Sequence, residues 1–287
     1  DFYYLYLGRA YLEYAKTLDE PAQRRTILQQ TEETLKEARE INPLNTDHSA
    51  NLARMYRTWA QLAEDAETRQ EMVQRSSENY EIATTLSPQN AILWNEWGML
   101  YLSVGQFEKA QEKVVQSLEV DPDFDQTWTV QADLFASQDM ITEALQAYRE
   151  SLFIDQRQNA VWLQVGDLQR ERDNYEDAAK AYEQALSLNE NQIQVWRILS
   201  TVYTEMGRTG EAILALERAL ELDPEHDGAW DTHRMLAYQY AQVGETEQAQ
   251  SHAEQALSMV PEDRRSDLEQ FLAQVQLLPQ EAGGDGQ

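Results

Sequence analysis

A tryptophan returns every 34 residues through the middle of this chain, at Trp94, Trp128, Trp162 and Trp196. The same step from Gly98 reaches Ala132, Gly166 and Ser200, all small, and from Ala110 it reaches Ala144, Ala178 and Ala212. Four consecutive blocks therefore keep one register, and a period of this length restricts the fold to stacked supersecondary units before any local structure is considered. Each block closes on a helix-stopping run, "EVDP" (119–122), "FIDQ" (153–156), "SLNE" (187–190) or "ELDP" (221–224). Inside a block, apolar residues recur three and four apart on both sides of a break at "SVGQ", "SQDM", "RDNY" or "EMGR". That spacing predicts two helices per repeat.

The offsets of Trp, Leu, Gly or Ala and Tyr, followed by Ala, an aromatic or aliphatic residue, Ala and Pro, make the chain resemble the tetratricopeptide repeat family. The resemblance implies an all-α solenoid, a right-handed superhelix of seven helix hairpins and a C-terminal capping helix. Small residues at Gly98 and Ala110 would let the two helices of a hairpin approach closely, with Trp94, Trp97 and Tyr101 filling space against the neighbouring hairpin. A glycine inside a helix costs about 1 kcal/mol relative to alanine, so its presence implies a compensating contact. An aromatic ligand cage at Trp94 and Trp97 is the functional alternative and ranks below this packing role.

The register persists outside the central blocks, with insertions. Leu236, Ala237, Tyr240, Gly244, Ala249, Ala256 and Pro261 repeat the pattern shifted by three, the added residues falling in "DGAWDTHR". Tyr4, Leu7, Gly8 and Tyr11 match a first helix, but Ala38 and Pro43 match the second only after eleven added residues. Leu52, Ala53 and Tyr56 fit likewise, and Tyr80, Ala83 and Pro88 follow eleven residues late. Eleven residues is close to three turns, so helices can absorb it; shared between both helices of a hairpin, it lengthens each by about 8 Å. "DEPA" (19–22) and "AEDA" (63–66) are the expected turns, with Pro21 at a first helical position. The expectation is one solenoid over 1–278, with repeats at about 1–45, 46–90, 91–124, 125–158, 159–192, 193–226 and 227–263. A capping helix follows at 265–278, with Ser266 as its N-cap, and a polar, glycine-rich, disordered tail at 279–287.

Charge narrows the partners. Against 23 basic residues stand 51 acidic ones, a formal net charge of -28 that repels phosphate backbones and anionic membrane surfaces, so nucleic acid is not an expected partner. Without cysteine there is no disulfide, thiol nucleophile or thiolate metal site, and the compartment stays open. The longest apolar run, Phe2 to Leu7, is far shorter than the roughly 20 residues of a membrane-spanning helix. The chain starts at Asp1 with no basic leader or cleavage site, which reads as part of a longer polypeptide.

In the family, first helices line the concave face, and positions 2, 5, 9, 12 and 13 of each point into it. Carried over, those positions give Arg9, Arg54, Arg57, Asn95, Met99 and Asp133, then Asp167, Arg170, Arg197, Thr201, Arg234 and Tyr238. The resemblance thus implies a non-catalytic interaction scaffold that binds a peptide or partner protein in that groove. The arginines offer rigid donor forks to an acidic peptide or anionic glycan. The preferred plainer reading has them pair with acids on adjacent helices. The lysine and asparagine clamp by which some family members grip a chaperone carboxylate is missing here.

No phosphate loop, serine elbow or catalytic cysteine occurs, so neither an enzyme nor a cofactor is expected. A third, weaker class, a metal-dependent hydrolase, would need His226, Asp227, Asp231 and His233 of "HDGAWDTHR" to converge, and their spacing matches no ligand motif. The opening "DFYYLYLGRAYLEYA" is aromatic or apolar on every side, unlike the polar outer face of a terminal repeat. With "INPLNTDHSANLARMYRTWA" (41–60) it is similar to tetratricopeptide modules that follow the membrane part of bacterial O-antigen ligase and polymerase-like proteins. That second resemblance implies an alternative, a soluble appendage joined to a membrane domain before Asp1 that meets a partner or an anionic glycan.

Overall fold

In the computed structural model, residues 1–277 are described, and they contain fifteen α-helices and no strand. One compact unit spans Asp1–Gln156 and the other Arg157–Gln287. The first holds α1 (Phe2–Lys16), α2 (Pro21–Ile41), α3 (Thr46–Leu62), α4 (Ala66–Leu86), α5 (Ala91–Ser103), α6 (Phe107–Val120), α7 (Asp125–Ala136) and α8 (Ile141–Ile154). The second holds α9 (Asn159–Glu171), α10 (Tyr175–Leu188), α11 (Ile193–Glu205), α12 (Thr209–Leu222), α13 (Ala229–Gln242), α14 (Thr246–Met259) and α15 (Arg265–Leu277). Each odd-numbered helix from α1 to α13 packs as a hairpin on the helix after it, and within a unit each hairpin leans on the next.

The eleven-residue inserts do not divide evenly. α3 has 17 residues and α4 has 21, against 13 in α5 and 14 in α6. The second helix thus takes seven of the added residues and the first takes four. Helical geometry explains the split: at about 100° per residue, four and seven residues return a buried stripe to within roughly 40° of its starting direction. An even division would turn it by about half a circle. α2 also has 21 residues, and Pro21 opens it as the sequence predicts. Arg24 Nε donates to the Leu18 carbonyl at 3.0 Å and Arg69 Nη2 to the Ala63 carbonyl at 3.0 Å, so equivalent arginines of both long hairpins close the turn between their helices.

Small residues sit where helices touch. A Cβ on Gly166 would lie 2.7 Å from Tyr182 Cε1, and one on Gly8 would lie 2.5 Å from Leu35 Cδ2. Ala110, Ala144, Ala178 and Ala212 are fully buried at the facing positions. The chain also reverses at a fixed register: Gly105, Asp139, Asp173 and Gly207 all have φ between 58° and 70°. In each case the following N–H bonds back across the helix end, as from Gln106 to the Tyr101 carbonyl at 2.9 Å and from Asn174 to the Gln169 carbonyl at 2.9 Å. Left-handed backbone there favours glycine and tolerates aspartate, the two residue types found.

The periodic tryptophans do more than fill space. Trp97 and Tyr101 are buried and stack together at 6.2 Å, and Tyr80 stacks with Trp97 at 6.4 Å. Trp94 is only half-buried, and its indole N–H donates to the Pro88 carbonyl at 2.9 Å. Trp128 repeats this bond to Pro122 at 2.8 Å and Trp196 to Glu190 at 2.8 Å. The tryptophan therefore pins the connection between hairpins, the polar use of an otherwise apolar ring.

At the C-terminal end, a 3-10 turn at Glu262–Arg264 leads straight into α15. Ser266 consequently lies inside the first turn of that helix and is not its N-cap. Leu268 buries against Ala256 and Val260. The expected disordered tail at 279–287 lies outside the described residues.

Candidate functional site: the first-helix faces

In the first unit, the three arginines among the expected binding residues are already engaged by the hairpin that follows. Arg9 Nε donates to Asn51 Oδ1 at 2.9 Å. Arg54 Nε reaches both carboxylate oxygens of Glu96, at 3.0 and 2.9 Å. Arg57 makes a single long contact, Nη1 to the Glu96 carbonyl at 3.4 Å. Asn95, one residue away, is 1% exposed, and its Oδ1 is enclosed with no hydrogen-bond partner. Met99, one turn further along α5, is 42% exposed. Asp133 accepts from the Tyr148 hydroxyl; burial pushes its carboxyl above the usual range, and that hydrogen bond works against the shift.

The second unit spends its charges more completely. Asp167 accepts from the Tyr182 hydroxyl at 2.6 Å and lies 3.6 Å from Arg170 Nη2. Arg170 Nε also donates to the Tyr182 oxygen at 3.3 Å. Asp231 takes Arg197 Nη2 on one oxygen at 2.6 Å and Arg234 on the other, with Nε at 2.8 Å and Nη2 at 2.7 Å. The Thr201 hydroxyl is turned back to the Arg197 carbonyl at 3.2 Å, and Tyr238 is exposed.

The acceptors Asn51, Glu96 and Asp231 escape a reading by register because each lies one repeat on from its arginine. The signal is a spacing of 42, 42 and 34 residues, a repeat length or three residues less than one. The structure also fills the aromatic stack at Trp94 and Trp97 with a cation of its own. Lys113 Nζ, on α6, stands 4.2 Å from the Trp97 ring centre and 5.7 Å from that of Trp94.

"HDGAWDTHR" does not gather its histidines and acids. His226 Nδ1 lies 2.6 Å from the Asp223 carbonyl and Nε2 lies 3.1 Å from Thr232 Oγ1, while Asp231 is held by its two arginines. His233 meets His252 of α14 instead, Nδ1 to Nδ1 at 2.9 Å. Among the described residues no group of three or more His, Cys, Asp or Glu is arranged to hold a metal ion.

A family profile described as "Tetratricopeptide repeat" matches residues 95–160, and a second of the same description matches 169–236. Among solved structures the chain is similar to YrrB, described as a TPR protein with an unusual peptide-binding site. The TM-score is 0.57 and the identity 18%, over 70% of this chain and 98% of that one. It is also similar to PilF of Pseudomonas aeruginosa, with TM-score 0.57 and 19% identity over 77% of this chain and 90% of that one. No curated protein matches it in sequence. With the 34-residue period, the paired helices and the small-residue contacts, these matches make the chain a tetratricopeptide-repeat protein.

Proposed function

We propose that the chain is a protein-interaction scaffold that takes an extended peptide segment of a partner on the first-helix face of the unit Asp1–Gln156. The exposed thioether of Met99 and the loosely held Arg57 carry this reading: Met99 offers a flexible apolar contact, and Arg57, held by only one long bond, is the cation best placed to meet an acidic residue of the partner. Asn95 beside them is enclosed and out of a peptide's reach. The peptide-binding site named for YrrB supports the same use of this fold.

Immobilised peptide libraries passed over the full chain should yield a binder. Arg57→Glu should then weaken that binder about tenfold or more while leaving the melting temperature nearly unchanged. Unchanged affinity would remove Arg57 from the site. The O-antigen ligase-like resemblance is the second reading brought from the sequence; among the described residues, no helix is long and apolar enough to cross a membrane.

A further inference from the structure

In the last hairpin of the second unit, two imidazoles face each other without a bridging acid. His233 of α13 and His252 of α14 place Nδ1 against Nδ1 at 2.9 Å, with ring centres 5.2 Å apart. His233 is buried, and Tyr240 lies parallel over His252 at 5.5 Å. Such a contact needs one nitrogen to donate and the other to accept; a proton added at the accepting Nδ1 makes that ring a cation and sets two N–H donors against each other, and protonation of both rings sets two cations side by side. We propose that the His233–His252 pair is a proton-operated clasp, which keeps α13 and α14 together at neutral pH and releases them on mild acidification.

The groups that act on the pair give it little relief when it is charged. His226, from the turn before α13, adds a third imidazole, which bears on His233. Glu217 of α12 is the acid that bears on His252, but its carboxylate already accepts the Tyr240 hydroxyl at 2.6 Å. Burial, then the charges of His252 and His226, hold His233 down from 6.5 to about 4, and burial lowers His252, with Glu217 working against it. A base whose folded value is depressed stabilises the fold above its ordinary value and loses that contribution as pH falls. The window therefore runs from about 6.5 down to about 4. At pH 5 the folded hairpin should lose a factor on the order of thirty in its closing equilibrium. α15 rests on both helices of this hairpin, so opening also uncovers Leu268, Val260 and Ala256.

Amide exchange of the full chain at pH 7 and pH 5, corrected for intrinsic rates, tests the clasp. Protection in α13 and α14 should fall at least tenfold more than in α11 and α12, and the double variant His233→Gln with His252→Gln, which cannot take up the charge, should abolish the difference. Equal loss in all four helices, or the same selective loss in the double variant, would overturn the proposal. Should that variant fail to fold, proton NMR titration of the wild-type histidines decides instead. A midpoint for His233 well below 6.5 supports the clasp, and an ordinary midpoint refutes it.

Discussion

Two carboxylates with the same job are treated differently in the two units. Glu96 in the first receives one Arg54 N–H shared between its two oxygens while Arg57 touches only its main chain; Asp231 in the second is gripped by both Arg197 and Arg234. Each site ties a first helix to the next hairpin. The first leaves Arg57 with one long bond and the thioether of Met99 exposed, whereas enclosed atoms without a hydrogen-bond partner occur at both, Asn95 Oδ1 in the first and Arg197 Nε in the second. An enclosed unpartnered atom therefore does not tell the two apart, and it is the loosely held Arg57 and the exposed Met99 that mark a surface with something left to bind.

The largest effect expected from breaking this contrast is in the second unit. Arg197→Glu puts a carboxylate against Asp231 at a position 16% exposed, and should cost about 2–4 kcal/mol in thermal or denaturant unfolding. Arg57→Glu should cost less than about 1 kcal/mol and act on peptide affinity instead. Next comes packing. Gly166→Leu drives a side chain into the Tyr182 ring and should cost about 1–3 kcal/mol, whereas Gly98→Ala, whose nearest neighbour is Val114 Cγ2 at 3.1 Å, should cost under about 1 kcal/mol.

Acid should separate the units as well. Burial pushes the Glu32 carboxyl up, but hydrogen bonds from Lys36 and Tyr56 and the charges of Lys36 and Arg75 outweigh it, so Glu32 stays ionised below its ordinary range. Its contribution is therefore present above about 4.5 and fades as pH falls further. In a stepwise acid titration followed by exchange, the last hairpin should loosen before the Glu32 network does. Smallest of all, Lys180→Ala, with exposed partners Glu176 and Asp177, should change stability by no more than about 0.5 kcal/mol.

The legible part of this fold is the part that repeats. Trp94, Gly98 and Ala110 recur through the four central hairpins because each holds an equivalent position in its hairpin, so period and chemistry agree and helix number and order follow. Splitting the insert of the second hairpin four and seven was not visible, because the eleven added residues preserve the face for the hairpin as a whole, and only the turn geometry fixes how the two helices share them. Ser266 failed as a cap because the chain enters α15 through a 3-10 turn that leaves no extended residue before it. Register could nominate the first-helix residues, but it could not show which were spent: the partners Asn51, Glu96 and Asp231 belong to the next repeat, and the His233–His252 pair depends on how α13 lies against α14.

The account rests on the first unit being the face that holds a peptide. Amide-exchange footprinting of the full chain with a library-selected peptide tests this most directly. Protection concentrated on α3 and α5, around Arg57 and Met99, is the predicted result. Protection on the second helices, or on α11 and α13 around Asp231, would contradict it.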